Sequence, residues 1–160
     1  VDELVEGFDL GAFGSAPTKF DPEDLRPLTA RTLAARPFAQ VRAHILAIGV
    51  PEALAERFWT VTRENISTLS ELESWWAVFR DGAEPVIAEE DAGFVTEALG
   101  LLGTPPYDDD SWKAWTDAVK AQTGRKGRGL FMPLRQAVTG RDRGPEMADV
   151  MPLLQVKPSI

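Results

Sequence analysis

The chain of 160 residues has no cysteine and a single histidine, His44. Without thiols there is no disulfide framework, no thiolate metal site and no cysteine nucleophile. His44 sits in AHILA within a helical pattern and has no cysteine to partner it, so it is expected to be a structural or surface residue. Long apolar runs are also missing, and nothing approaches the roughly 20 residues that cross a bilayer. The opening ten residues, VDELVEGFDL, carry neither a basic n-region nor a long apolar core, so they are expected to be an internal start and not a signal peptide. A cytoplasmic location is the corresponding expectation. No stretch alternates with period two, and there is no internal repeat or low-complexity tract.

Positive charge is scarce overall, with a net charge of -8, which argues at first against a polyanionic partner. Its distribution changes that reading. From position 120 to 143 the chain holds Lys120, Arg125, Lys126, Arg128, Arg135, Arg141 and Arg143 against Asp142 alone, a balance of +6, and the remainder carries -14. One electropositive end on an acidic body can orient an approaching nucleic acid; the alternative is that basic residues merely collect at helix ends and loops.

The apolar fraction of 44% suits one substantial domain or two small packed subdomains. Residues 1–21 are expected to form a short helix and a loop pinned by Phe8, Phe13 and Phe20. Asp21 and Pro22 open a helix reaching about Ala35, and Pro37 breaks it. Phe38, Val41, Ile45 and Ile48 follow at helical spacing and Gly49 closes that helix. Pro51 starts the next, through Leu54, Phe58 and Val61. A capping box at Ser67 is expected to lead into Leu72, Trp75, Trp76 and Phe79. RDGAEPVIA at 80–88 reads as a subdomain boundary. Beyond it, a helix from about Glu89 should present Phe94, Ala98 and Leu101 on one face. Trp112, Trp115 and Val119 share the face of another, capped by Asp108 to Ser111 and ended by Gly124. Two last helices are expected over about 129–138 and 145–154. The fold class is therefore all-α.

Catalytic chemistry is hard to assemble from these residues. The acidic triplets at Glu89, Glu90, Asp91 and at Asp108, Asp109, Asp110 precede helices, where acids cap N–H groups and face the positive dipole end. They are read as caps, with no metal site and no catalytic residue expected. GRKGRG at 124–129 lacks the strand and the Gly-Lys-Ser/Thr of a nucleotide-binding loop; as a basic turn between helices, its Arg125, Lys126 and Arg128 could face a sugar-phosphate chain.

The run TGRKGRGLFMPLRQAVTGRDRGPEM, positions 123–147, resembles the anticodon-binding region of bacterial glutamyl-tRNA synthetases, whose pattern is close to TGxKGKxLFxPLRxALTGxxxGPEL. FDLGAFGSAPTKFDPEDL, TLSEL and the Trp112/Trp115 pair extend the likeness upstream. The resemblance implies two small helical subdomains forming an anticodon-binding cage, with 1–22 as the end of a stem-contact region and linker, 23–85 as the first subdomain and 86–160 as the second. It implies tRNA(Glu) as partner. ATP and magnesium would serve ligation on a separate Rossmann-type half, whose HIGH-like and KMSKS-like signatures do not occur in this chain, leaving it non-catalytic and without a cofactor. By the same likeness Arg135 contacts anticodon bases, with Gly144, Pro145 and Met147 packing against them. Arg125, Lys126, Arg128, Arg141 and Arg143 would lie along the tRNA backbone. Asn65 stands where the family often has an arginine, which leaves tRNA(Gln) as a possible second partner. The alternative is a freestanding helical RNA- or protein-binding module.

Overall fold

The computed structural model describes residues 25–160, and every regular element among them is helical, as expected. The helices are α1 (Leu25–Ala34), α2 (Phe38–Ala47), α3 (Glu52–Thr62), α4 (Glu71–Asp81), α5 (Glu89–Leu101), α6 (Ser111–Thr123), α7 (Arg128–Thr139) and α8 (Met147–Val150). Two 3-10 turns, Arg63–Asn65 and Met151–Leu153, extend α3 and α8. The expected opening helix and loop with Phe8, Phe13 and Phe20, and the Asp21–Pro22 helix start, lie outside the described residues.

The punctuation follows the prolines and glycines. Pro37 and Pro51 hold extended backbone (ψ 146 and 142) immediately before α2 and α3. Gly124 and Gly140 turn left-handed (φ 72 and 65) after α6 and α7. Several details differ from the sequence reading. The box before α4 forms only by its acidic half: Glu71 Oε1 accepts from the N–H groups of Ser67 and Thr68 at 3.1 and 3.0 Å, while Ser70, in the cap position, makes no side-chain cap bond. Leu101 is 42% exposed, and Leu102, just past the end of α5, is buried in its place. The final helix is one short turn, because Pro152 cannot donate to the carbonyl four residues back and the backbone tightens to 3-10.

Buried side chains from α1, which contributes Leu33, through α8 form one continuous core. At its centre the Phe58 ring meets Trp76 (5.8 Å, 80°) and Phe79 (5.9 Å, 85°) edge-on, the arrangement that ring quadrupoles favour. Two of the indole tips find partners: Trp59 Nε1 donates to the Arg36 carbonyl at 3.1 Å and Trp115 Nε1 to that of Ala98 at 2.7 Å. His44, half-buried, lies with Nε2 3.3 Å from the Leu69 carbonyl oxygen, a structural placement between α2 and the approach to α4. Gln155 N donates to the Phe79 carbonyl at 2.8 Å, which ties the chain after α8 to the end of α4.

Candidate nucleic-acid interface

The basic turn is shaped by its glycines and by a proline inside α7. Gly124 and Gly127 take positive φ (72 and 54), and α7 starts directly after Gly127. Pro133 has no N–H, so the carbonyl of Gly129 loses its helical donor. Arg125 fills that vacancy, with Nη1 3.2 Å from Gly129 O. The same guanidinium pairs with Asp91 and stands 4.0 Å over the Phe94 ring, so it is held by α5 on two sides. Asp91 of the first acidic triplet is therefore an ion-pair partner as well as a first-turn acid. Lys126 and Arg128 are exposed and make no ion pair or side-chain hydrogen bond among the described residues.

One turn along α7, Phe131 and Arg135 share a face at i,i+4 spacing. Arg135 is half-buried, and its Nη1 donates to the Pro145 carbonyl at 2.9 Å. Beside it lies a cavity of about 260 Å³ lined by Trp112, Phe131, Arg135, Glu146 and Met147. Phe131 is 46% exposed, unusual for an aromatic in a helix otherwise packed on the core. Its ring lies 6.4 Å from that of Trp112 at 36°, and Trp112 rests edge-on against Trp115 at 5.5 Å. A tilted aromatic pair, a guanidinium and a carboxylate thus share one opening.

The stretch from Gly140 to Met147 reaches that opening at its end, where Glu146 and Met147 line one side. Arg141 stacks 3.9 Å over the Trp75 ring and donates from Nη2 to Ser74 Oγ at 3.0 Å. Burial lowers its pKa, opposed by the charge of Glu71. Gly144 lies against Trp75, Pro145 is buried, and Met147, 3% exposed, lends only an edge to the cavity wall. Arg143 is exposed and has no side-chain partner among the described residues. Asn65 is half-buried in the 3-10 turn after α3, outside the lining of this cavity. The second acidic triplet does not form the expected side-chain cap: Asp110, in the cap position of α6, makes no cap bond, Asp108 accepts from the Ser111 hydroxyl at 2.6 Å, and Asp109 pairs with Arg57 of α3. Among the described residues no group of three or more acidic or histidine side chains could hold a metal ion, and no helix is long and apolar enough to cross a membrane.

A model of the anticodon binding domain matches residues 32–159. The chain belongs to this family. Similar proteins include glutamate–tRNA ligase 2 of Dinoroseobacter shibae, 61% identical over 160 residues, which are all of this chain and 36% of that protein. Glutamate–tRNA ligase 1 of Ruegeria pomeroyi is 63% identical over 154 residues, 96% of this chain and 35% of the relative. Glutamate–tRNA ligase 2 of Jannaschia sp. is 60% identical over the whole chain and is covered to 36%. The anticodon-binding domain thus spans little more than a third of the curated relatives it matches.

Within this anticodon-binding domain, reading from sequence brought Arg135 to the cavity but passed over three of its neighbours. Trp112, expected to share a face with Trp115 and Val119, is half-buried and faces the opening. Phe131 and Glu146 were not singled out at all. The i,i+4 spacing of Phe131 and Arg135 was the available signal, but an apolar residue in LFMPLR looks like core until the helix is docked. The cationic residues divide in a way charge alone does not reveal: Arg125 and Arg141 are engaged by the protein, and Lys126, Arg128 and Arg143 are open to solvent.

Proposed function

We propose that this anticodon-binding domain reads the anticodon of tRNA(Glu) as the C-terminal part of a cytoplasmic glutamate–tRNA ligase. The carrying observation is the Arg135 guanidinium, tethered by one N–H to the Pro145 carbonyl beside a cavity walled by Phe131 and Trp112. A guanidinium has five N–H donors in a fixed plane, so four remain for a base edge, and the aromatic pair supplies a stacking face. The volume of about 260 Å³ falls below the roughly 300–1,000 Å³ of sites for drug-sized ligands and suits a single ring. Glu146 in the wall disfavours a phosphate there, so the opening selects an uncharged, hydrogen-bonding ring. The names of the similar proteins, glutamate–tRNA ligases, support the choice of tRNA.

In this reading Lys126, Arg128 and Arg143 meet backbone phosphates, whereas Arg125 and Arg141 chiefly hold the loops that carry them. Gly144 and Pro145 shape the floor under the base and Met147 its edge. Residues 23–85 and 86–160 act as the two parts of one helical cage. Asn65, on the first part, faces another anticodon base and admits tRNA(Gln) as a second substrate. Ligation, with ATP and magnesium, takes place on a Rossmann-type half of the parent enzyme.

The test is binding of wild-type and anticodon-substituted tRNA(Glu) transcripts to the chain at fixed salt. Arg135→Ala should weaken cognate binding by ~1–3 kcal/mol, the worth of one base stack or bidentate contact, and reduce the preference for the cognate anticodon. Equal binding of cognate tRNA and an unrelated polyanion would refute base reading and favour a helical module for acidic partners.

A further inference from the structure

The loop between α7 and α8 rests on one residue of α4. Trp75, 1% exposed, lies under that loop at two points. The Arg141 guanidinium stands 3.9 Å over its ring, and a Cβ at Gly144 would fall 2.7 Å from its Cη2 atom. Gly144 also holds φ +151, a conformation that side-chain-bearing residues rarely adopt. No other residue type can come so close to the ring at that height. The next residue, Pro145, presents the carbonyl that receives Arg135 Nη1 at 2.9 Å, and the same nitrogen would sit 3.5 Å from a Gly144 Cβ. The indole edge therefore fixes Gly144, Gly144 places the Pro145 carbonyl, and that carbonyl sets the plane in which Arg135 offers its free N–H groups.

We infer that Trp75 is a positioning residue for base recognition, reaching the bound base only through Gly144, Pro145 and Arg135. This rests on the reading of Arg135 as a base contact. The indole is itself placed by shape: its Nε1 is buried with no hydrogen-bond partner, while Phe79 packs at 5.7 Å on the side of its own helix. Replacing Trp75 with phenylalanine consequently breaks no hydrogen bond, and it removes the outer ring on which Gly144 sits. Gly144→Ala approaches the same contact from the loop and leaves the core residue untouched. A planar donor group discriminates between base edges by its orientation, so a tilt of Arg135 lowers selectivity before it lowers general affinity for RNA.

The experiment compares wild-type, W75F, G144A and W75F/G144A chains against two RNA hairpins, one with a glutamate anticodon in its loop and one with that anticodon replaced. Binding is measured across a salt series, beside thermal unfolding to establish that each variant is folded. The expected result is that each single variant loses at least about five-fold of the preference for the glutamate hairpin, the lower end of what one base contact supplies. The slope against salt should stay unchanged, and any loss of affinity for the replaced hairpin should be smaller than the loss on the glutamate hairpin. The double variant should lose less than the product of the two single losses, because both act on one contact. Retention of the full preference by the folded single variants overturns the positioning role and leaves the base-reading proposal standing, as does an equal loss on both hairpins. A wild-type chain with no preference overturns both.

Discussion

At Gly124 and Gly140 the backbone makes the same left-handed turn past the end of a helix, yet the two sites differ in what surrounds the missing side chain. A Cβ at Gly124 would meet nothing within 4 Å, whereas one at Gly140 would lie 2.7 Å from the Glu84 carbonyl oxygen, a backbone atom that cannot swing aside. Gly124→Ala should then cost about 1 kcal/mol of stability, the conformational penalty alone. Gly140→Ala should cost about 2–3 kcal/mol, since the clash adds to it. Chemical denaturation of the two variants measures the gap, and equal losses would show that the Glu84 contact is irrelevant. The residues legible in sequence were those whose chemistry is local. Glycines past helix ends and a planar cation in PLR announce themselves. The roles of Arg125 and Arg141 were hidden because their partners lie 34 and 67 positions away at Asp91 and Ser74. No local pattern encodes a contact at that separation.

Helix boundaries show how far element-level reasoning carries. Apolar spacing, together with proline and glycine punctuation, located all the longer helices from α2 to α7, because each buries one face on the core and stops where the backbone is constrained. The end of the chain was misjudged for a physical reason visible only in the finished geometry: Met147, Val150, Met151 and Leu154 keep an apolar pattern, but Pro152 limits the α-helix to one turn. The start of α6 offers a test at this scale. Asp108 accepts from the Ser111 hydroxyl at 2.6 Å and from Asp110 N at 3.2 Å, and these bonds, the Ser111 hydroxyl first, hold its carboxyl below the ordinary carboxylate range. A depressed folded pKa means that the ionised form is favoured in the native state. Its stabilisation is complete above the ordinary carboxylate pKa and disappears as pH falls through the folded value. Asp108→Asn should therefore melt below wild type at neutral pH, with the difference in Tm closing in acid. A difference that stays constant from neutral pH to below the carboxylate range would exclude this linkage.

Across the whole molecule, a local balance of +6 over 120–143 against -14 elsewhere makes one end attractive to RNA and the body repulsive. With a Debye length of about 8 Å at physiological ionic strength, only cations on the rim itself contribute to bound-state neutralisation. Those cations are unequal. Lys126 and Arg128 stand free on the turn before α7 and in its first residue, while Arg125 already neutralises Asp91 and shares its face with Phe94. A phosphate recruited by Arg125 would have to compete with that carboxylate, and fewer counterions are released when it binds. Replacing Lys126 or Arg128 with alanine should flatten the slope of log K against log salt by about 0.7–0.9 each, uniformly over RNA sequences. Arg125→Ala should change the slope by less than half of that and instead lower the melting temperature, because Asp91 is left partly buried without its partner and the Gly129 carbonyl loses its donor. Titrations of tRNA at several salt concentrations, paired with unfolding curves for the same three variants, separate the two kinds of cation. Were Arg125 to reduce the slope as much as Lys126 does while leaving stability intact, the ion pair with Asp91 would have to open on binding, and the rim would count four phosphate contacts where the free chain, with Lys126, Arg128 and Arg143, presents three.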